Sequence, residues 1–452
     1  MLPVYGPIEA KAGSVDRRSF VQAGVLGVGG LGLSHMLRLR AEGAMKSSQG
    51  QTSVILFWLS GGPGHMETWD PKPDAPIEYR GPLDAIQTNV AGVQFGELMP
   101  RLASHMDKLA VLRTVNHGTG DHTKGNHWML TGFEGPAFNA PDNRQQRRPS
   151  MGAAVARVKG ANHLGMPAYV GVPHLRGGTD NLFHYAAYLG GGHNPFVVNS
   201  DPASQDFAVR NLKLPAGLTR PRLADRLGLL QSMDKLRRMN EASMQDLDVH
   251  HQQAFELLTS QRVREAFDVN AEDAGTRQAY GMHTFGQSAL VARRLVERGV
   301  TFVTVNCVPW DHHGSANRHP TEEGAKLYIP PLDNAISGLV EDLQQRGLYE
   351  QTMIIAMGEF GRTPRMNKDA GRDHWGRTFS VLIGCGSMKM GQIIGRSSRR
   401  GEAVVNRPIS PEDVAATVYR HLGIDGKGTW FRDQLDRPLP LIADGRPIRE
   451  LF

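Results

Sequence analysis

The chain has 452 residues, of which 40% are hydrophobic and 21% charged, as in ordinary globular proteins. Its formal net charge of +6 is dispersed along the whole length, which argues against nucleic acid as a partner. The two cysteines, Cys307 and Cys385, lie in apolar runs, so the sequence excludes a disulfide framework and predicts two buried thiols.

Residues 1–44 have the features of an export signal. Arg17 and Arg18 are followed two places on by Phe20 and then by a glycine-rich, mildly apolar run, Val21 to Leu37. The pattern resembles a twin-arginine export signal, with an amphipathic N-terminal helix as the alternative. The apolar run is too short and too rich in glycine to span a bilayer. We therefore expect a periplasmic or extracellular protein with no stable membrane span once the signal is removed.

After the signal, apolar runs alternate with helical patterns. Continuous or β-branched apolar segments predict strands, and apolar residues spaced three and four apart predict helices. The predicted strands are residues 53–59, 108–115, 167–172, 301–308, 352–357 and 379–383. The predicted helices are residues 289–298, 332–346 and 411–422, with a helical insertion at about 220–300. This alternation favours a doubly wound, largely parallel sheet in a single domain of residues 45–452.

Four polar clusters follow predicted strands, and in a parallel sheet such loops gather at one edge. Seven of the 18 histidines lie in these four loops: His65, His117, His122, His127, His312, His313 and His374. Imidazole and carboxylate are ligands of divalent metal ions. The sequence therefore predicts a metal site at this edge of the sheet. Two ions there would activate a nucleophile and clamp a phosphoryl or sulfuryl group.

The two later clusters give the clearest ligand candidates. Asp311 and His313 are two residues apart at a strand end and can face the same way, which leaves His312 pointing elsewhere. His374 lies in a glycine-bounded loop, and Glu359 is a strand-end carboxylate. In the first of the two earlier clusters a structural role is also open, because His65 fits a loop cap and Asp70 a turn residue. In the second, His117, Asp121 and His122 lie in a glycine-containing loop, and at least one of them is expected to belong to the site.

The same segments resemble the secreted domain-of-unknown-function family 1501, which is similar to the alkaline phosphatase and sulfatase superfamily. The likeness covers roughly residues 50–425. Its motifs are the twin-arginine leader, Gly61–His65 with Asp70–Pro73, Met129–Gly132, Trp310-Asp311 with His313, and Gly358–Pro364 with Gly371–Trp375. The resemblance implies an alkaline-phosphatase-like α/β/α sandwich with a mostly parallel central sheet.

The resemblance also implies roles for individual residues. Asp311, His313 and His374 match the ligands of one metal site in the superfamily. A helical stretch resembles the nucleophile helix of the nucleotide pyrophosphatase branch, with Thr123 as the nucleophile. Without a one-residue deletion in the comparison, His122 falls at that position instead. The chain has no Cys-x-Pro-x-Arg motif, so the formylglycine nucleophile of true sulfatases is absent.

A second metal site fits the superfamily pattern less well. An aspartate is expected directly after the first strand, where this chain has Ser60-Gly61. A histidine is expected after a later strand, where this chain has Phe360. The nearby residues that can substitute as ligands are Glu359, His65, Glu67, Asp70 and His117.

Together these features predict an exported, metal-dependent hydrolase of phosphate or sulfate esters. Its substrate would be a small-molecule or polysaccharide ester, with sulfated polysaccharides as one class. One or two divalent ions are expected, and the sequence does not distinguish Zn, Ca, Mg and Mn. The alternative is a non-catalytic binding or scaffold protein that keeps the fold and a single metal.

Overall fold

The computed structural model describes residues 51–142, 145–175, 183–209, 212, 222, 225, 260–315 and 318–452. The predicted export signal and most of residues 220–259 lie outside these ranges, so the signal and that part of the helical insertion stay predictions. Residues 52–452 belong to one compact unit. Within the described ranges, no helix is both long enough and apolar enough to cross a membrane.

An eight-stranded sheet lies at the centre of the fold. In chain order, the strands of the described residues are β1 Ser53–Trp58, β2 Ala85–Gln87, β3 Gln94–Gly96, β4 Leu109–Val115, β5 Tyr169–Val172, β6 Phe196–Val197, β7 Phe302–Asn306, β8 Thr352–Met357, β9 Gly361–Arg362, β10 His374–Trp375, β11 Phe379–Gly384, β12 Gln392–Ile394, β13 Arg396–Ser397, β14 Val404–Asn406, β15 Trp430–Arg432 and β16 Pro438–Pro440. The order in the central sheet is β12-β4-β11-β8-β1-β7-β5-β6. Strand β11 pairs antiparallel with both neighbours, and every other neighbouring pair is parallel.

Helices cover both faces of this sheet. In the part of the chain that the structure describes they are α1 Ile77–Arg80, α2 Pro100–Ala103, α3 His122–Thr131, α4 Met151–Val158, α5 Gln261–Phe267, α6 Ala274–Tyr280, α7 Thr284–Glu297, α8 Thr321–Gln345 and α9 Pro411–His421. The predicted α/β/α sandwich with a mostly parallel central sheet is confirmed.

The alternation of side chains along β1 builds two cores. Ile55 and Phe57 point into one, which the apolar faces of α7 and α8 complete. Val54, Leu56 and Trp58 point into the other, where α3, α4 and α9 pack. Every residue of β1 is buried because both faces of a parallel sheet are covered. This explains why the first strand is a continuous apolar run in the sequence.

The start of α8 differs from its prediction. The sequence predicts a helix from residue 332, because Pro330 and Pro331 normally mark a helix start. The structure begins the helix at Thr321 and runs through both prolines. Ala325 and Ile329, ahead of the prolines, are buried in the core against α7. Packing of this earlier segment outweighs the local cost of the prolines.

The direction of the strands places the functional residues. The carboxyl ends of β1, β4, β7 and β8 share one edge, because these strands run the same way. Strand β11 runs in the opposite direction, so the segment that precedes Phe379 reaches the same edge. Four loops that are distant in sequence therefore meet there, the last of them running from β8 to β11, as the sequence predicts.

Candidate metal centre

The carboxylate of Asp311 lies at the centre of a cluster of cationic and imidazole groups. Its Oδ1 is 2.6 Å from Nη2 of Arg362 and 2.8 Å from Nε2 of His313. The same oxygen is 3.1 Å from Nε2 of His374 and 3.7 Å from Nε2 of His122. Ligand atoms of His122, Asp311 and His374 all lie within 4.8 Å of one another. The structure thus brings together Asp311, His313, His374 and His122 at one point.

The orientation of the three imidazoles is fixed by hydrogen bonds at Nδ1, the ring nitrogen that does not face Asp311. Each Nδ1 faces an acceptor oxygen: Oε1 of Glu359 at 2.7 Å from His122, the carbonyl of Gly120 at 2.8 Å from His374, and Oδ1 of Asp373 at 3.0 Å from His313. An acceptor at Nδ1 places the proton there and leaves the lone pair on Nε2. Support of this kind by a carboxylate or carbonyl is typical of histidines that bind metal.

The spacing of the Nε2 atoms shows that the cluster suits a cation. Nε2 of His313 and Nε2 of His374 are 2.9 Å apart. Two lone pairs at this distance repel unless a proton or a metal ion lies between them. Three imidazole nitrogens and one carboxylate oxygen are also the donor types that Zn²⁺ and similar divalent ions take in four-coordinate sites. The residues present therefore fit one divalent ion.

Local sequence places His122 at this point. Asp121 caps the start of α3, its side chain accepting a hydrogen bond from the amide of Lys124 at 3.1 Å. His122 is thereby the first residue of the helix, with its ring between Glu359 and Asp311. Gly125, one turn on, would carry a Cβ only 3.1 Å from the carbonyl oxygen of Glu359. A side chain there would push the helix away from Glu359.

Arg362 ties the loops of the site to one another. Its side chain is 2% exposed. The guanidinium donates to the carbonyl oxygens of Gly62 at 2.8 Å, Trp310 at 3.1 Å and Arg372 at 3.1 Å, besides its bond to Asp311. Five donors in a rigid plane suit such a multiple contact. Arg362 therefore fixes the orientation of Asp311.

The charges of the cluster shift its pKa values in opposite directions. Burial raises the pKa of Asp311, but hydrogen bonds from His122, His313 and His374 and the charge of Arg362 outweigh it and hold that pKa well below its ordinary range. The hydrogen bond to Asp311 raises the pKa of His313. Burial lowers the pKa of His374. A permanently ionised carboxylate among imidazoles favours the binding of a cation.

An aromatic ring closes one side of the cluster. Phe360 stacks on His374 with ring centroids 4.5 Å apart and lies 4.9 Å from the ring of His122. It occupies the position at which the superfamily pattern expects a histidine. Phenylalanine has no ligand atom, so the place beside His122 and His374 is filled by an apolar wall.

Asp70 is engaged elsewhere. Its fully buried carboxylate lies 2.7 Å from Nζ of Lys72 and 3.2 Å from Nε of Arg113. The hydroxyl of Ser397 also donates to it. Two cations and a hydroxyl surround the carboxylate. The structure does not bring Asp70 to the cluster.

His65 and His117 also make other contacts. His65 is buried, and its Nε2 lies 3.1 Å from the carbonyl oxygen of Gly401. Nε2 of His117 lies 2.6 Å from the carbonyl oxygen of Glu359, and its ring stacks on Trp128. Neither imidazole is directed at Asp311 by these contacts.

The remaining sequence candidates lie beside the cluster. Glu359 is fully buried, and its Oε1 accepts from the amide of Gly61 at 2.8 Å and faces His122. Thr123 follows His122 in α3 and is 2% exposed. His312 turns away from Asp311, as predicted, and stacks on Tyr328 with centroids 5.5 Å apart.

Sequence reasoning missed the parts that support the imidazoles. Asp373 is next to His374 in the chain but supports His313. A contact between loops of this kind has no signal in residue spacing. The carbonyl of Gly120 has no side-chain signal at all. The sequence offers His122 as a candidate nucleophile, whereas its contact with Glu359 gives it the same arrangement as the other two imidazoles.

Comparisons with known proteins give a family and many solved structures, of which three are described here. No curated protein matches the chain. The lipoteichoic acid synthase LtaP from Listeria monocytogenes is 8% identical, with a TM-score of 0.41 over 88% of this chain and 76% of that one. The PsFucS1 sulfatase from Pseudoalteromonas sp. is 12% identical, with a TM-score of 0.37 over 84% and 69%. The phosphonate monoester hydrolase SpPMH from Silicibacter pomeroyi is 11% identical, with a TM-score of 0.37 over 88% and 75%. Residues 51–452 match the family described as protein of unknown function (DUF1501), and the chain belongs to that family.

Proposed function

We propose that the protein is a metal-dependent hydrolase of phosphate or sulfate esters with a single divalent ion. His122, His313, His374 and Asp311 would hold the ion. One observation carries the proposal: three imidazoles direct Nε2 at one carboxylate oxygen while an acceptor oxygen holds each Nδ1. Pre-orientation of this kind is the arrangement that metal-binding histidines require.

The surroundings of the cluster are consistent with access by a substrate. The side chains of His122, His313 and His374 keep 17%, 21% and 22% of their surface exposed. A divalent ion there would supply Lewis-acid stabilisation of the negative charge that develops on a phosphoryl or sulfuryl group. Glu359 holds the proton on Nδ1 of His122. Thr123 is almost wholly buried as a residue, which disfavours its hydroxyl as the nucleophile.

The alternative, a binding or scaffold protein with one structural ion, is favoured by Phe360. Its ring covers the side of the cluster where a second ligand set is expected. Asp70 is already paired with Lys72 and Arg113. A single ion without a second one beside it would leave the phosphoryl or sulfuryl group held on one side only.

Metal content and turnover separate the two functions. We would measure bound metal per chain and the hydrolysis of aryl phosphate, phosphodiester and aryl sulfate, in the unaltered protein and in His374→Ala. The matched control is His163→Ala, a histidine in the loop that precedes β5, at the opposite edge of the sheet. One ion and turnover that are both lost in His374→Ala, but kept in His163→Ala, support the hydrolase. One ion without turnover on any ester supports the binding protein.

We also propose export by the twin-arginine route, on the sequence pattern of residues 1–44. The paired guanidinium groups of Arg17 and Arg18 are the distinguishing feature. Replacing both with lysine keeps the charge and removes the pattern. We expect the altered chain to stay in the cytoplasmic fraction of the producing bacterium, and an unchanged distribution would contradict the proposal.

A further inference from the structure

Arg318 places an exposed guanidinium group at the histidine cluster. It lies in the loop between β7 and α8, and its Nε is 3.5 Å from Oδ2 of Asp311. Its side chain is 47% exposed, whereas that of Arg362, the other arginine beside Asp311, is 2% exposed. The imidazoles and Arg362 face Oδ1, so Arg318 approaches the carboxylate at its other oxygen. Of the two arginines, Arg318 is therefore the one that a substrate can reach.

The contact with Asp311 does not by itself account for Arg318. A distance of 3.5 Å is too long for a good hydrogen bond, and ion pairs of half-exposed residues contribute little to stability. Arg362 already fixes the orientation of Asp311, through a bond of 2.6 Å. Within the described ranges, the guanidinium of Arg318 donates no hydrogen bond, and Asp311 is its only ion-pair partner. Its N–H donors are therefore available to a ligand.

Backbone hydrogen bonds hold the base of this side chain beside the cluster. The amide of Arg318 donates to the carbonyl oxygen of Ser315 at 3.0 Å, and the amide of Gly314 donates to that of His319 at 3.0 Å. Gly314 has a φ of +73°, and a Cβ there would collide with the carbonyl group of Asp369. The loop is thus packed against the neighbouring loop, and the long side chain of Arg318 projects from a fixed backbone.

The other described cations near the cluster are already engaged. Arg362 and Arg372 are both buried and bound to carboxylates and carbonyl oxygens. Lys124, in the first turn of α3, forms an ion pair with Glu134. Among the described residues, an oxyanion at the cluster would therefore meet Arg318 as the cation whose donors are unused.

A second positive charge is what the single-ion site lacks. Phe360 fills the place beside His122 and His374 where the superfamily pattern expects a ligand. Guanidinium binds two oxygens of a phosphate or sulfate group at once. We infer that Arg318 binds two oxygens of the phosphoryl or sulfuryl group of the substrate and replaces the second metal ion. The inference rests on the proposed function, because that function supplies the ion at the cluster.

The number of free oxygens then determines the class of ester. A phosphate or sulfate monoester has three non-bridging oxygens, so two remain for the guanidinium when one faces the ion. A phosphodiester has two non-bridging oxygens, so only one remains. The site should therefore prefer monoesters to diesters, and this preference should depend on Arg318.

The test measures binding of inorganic phosphate and inorganic sulfate by calorimetry, with the metal content determined on the same samples. Arg318→Ala removes the guanidinium, and Arg318→Lys keeps the charge but not the pair of parallel donors. The matched control is Arg432→Ala. Arg432 is also exposed, at 66%, and also pairs with an aspartate, Asp436, but it lies in β15, outside the loops of the cluster.

We expect phosphate or sulfate to bind the unaltered protein and Arg432→Ala alike. Arg318→Ala should weaken binding about tenfold or more at unchanged metal content, because charge-assisted hydrogen bonds are lost. Arg318→Lys should recover part of the affinity, and guanidinium ions in solution should restore binding to Arg318→Ala. In Arg318→Ala, KM for aryl phosphate or aryl sulfate should rise more than KM for the phosphodiester.

Three results would overturn the inference: no binding of either anion by the unaltered protein, equal binding by Arg318→Ala, or loss of the metal in Arg318→Ala. The last result would show that Arg318 supports Asp311 instead of a ligand. Ester turnover that Arg318→Ala leaves unchanged would refute the inference and keep the hydrolase. Anion binding that depends on Arg318, without turnover of any ester, would refute the hydrolase and leave an oxyanion-binding site at Arg318.

Discussion

Two regions of this protein combine histidine with aspartate after a strand, and they differ in what surrounds the carboxylate. In the first loop, the carboxylate of Asp70 is buried between Lys72 and Arg113, and His65 faces a carbonyl. After β7, three imidazole nitrogens lie around the carboxylate of Asp311, beside the guanidinium of Arg362. The cations at Asp70 can only donate to its carboxylate, whereas the imidazole nitrogens at Asp311 can bind a metal ion together with the carboxylate. The sequence therefore locates both regions. The presence of imidazole beside the aspartate distinguishes the candidate metal ligand from the buried ion pair.

The largest expected effect is a loss of stability when the carboxylate of Asp70 is removed from the first region. Asp70→Asn leaves Lys72 and Arg113 without their buried carboxylate, so we expect the free energy of unfolding to fall by about 3 kcal/mol. Metal content should stay the same, because Asp70 is not directed at the cluster. Chemical denaturation and metal analysis measure the two quantities. Asp74→Asn, an exposed aspartate of the same loop, is the control, with a change within about 0.5 kcal/mol. Metal loss in Asp70→Asn would show that the first loop belongs to the metal centre.

The second prediction tests whether His122 binds the ion in the metal centre. Glu359→Gln weakens the acceptor that holds Nδ1 of His122, so we expect metal affinity to fall about 10- to 100-fold. Competition with a chromophoric chelator measures it. The matched control is Glu412→Gln. Glu412 accepts a hydrogen bond at 2.7 Å from the indole of Trp128, which lies in α3 farther along than His122. Unchanged affinity in Glu359→Gln would mean that His122 does not bind the ion.

Much of the fold and of the cluster around Asp311 can be predicted from the sequence, because a parallel sheet determines where its strands and loops lie. The apolar run of β1 predicts a strand covered on both faces, and strands of one direction send their loops to one edge. These two rules predict that Asp311, His313 and His374 lie together. Ser410 and Asp413 form a capping box at the start of α9, with each side chain accepting from the other's amide at 3.2 Å, and a serine three residues before an aspartate is a local sequence signal of such a cap.

What the sequence leaves undecided depends on contacts between loops. Asp70 and Asp311 have similar neighbours in sequence, but the cations that pair with Asp70 include Arg113, 43 positions away in the chain. The support of His313 by Asp373 spans 60 positions. Pairings of this range follow from packing, and no local spacing encodes them.

The third prediction contrasts the cluster with a histidine of the core. His184 is fully buried, and burial lowers its pKa to about 3. The unfolded chain takes up a proton near pH 6.5, whereas the folded protein does so only near pH 3. Stability is therefore present above pH 6.5 and falls as the pH decreases towards 3. Between pH 7 and pH 5 we expect a loss of about 2 kcal/mol from this residue.

Thermodynamic comparison with a variant isolates this contribution. In His184→Phe the group that titrates is gone, so the free energy of unfolding should change less between pH 7 and pH 5 by about 2 kcal/mol. His163→Ala, which removes a histidine outside the core, serves as the control and should keep the pH dependence of the unaltered protein. Equal pH dependence in all three proteins would show that His184 is protonated or hydrated in the folded state.

The smallest effect distinguishes two supports of the same cluster. Asp373 is 57% exposed, whereas Glu359 is fully buried, although each faces the Nδ1 of one imidazole. Water and salt screen an exposed carboxylate, and the side-chain amide oxygen that Asp373→Asn introduces still accepts a hydrogen bond. We therefore expect metal affinity to fall only about two- to threefold in Asp373→Asn, and the difference to shrink further at high salt. A loss as large as that of Glu359→Gln would mean that the exposed carboxylate is shielded from water when the metal is bound, because screening could not then limit its contribution.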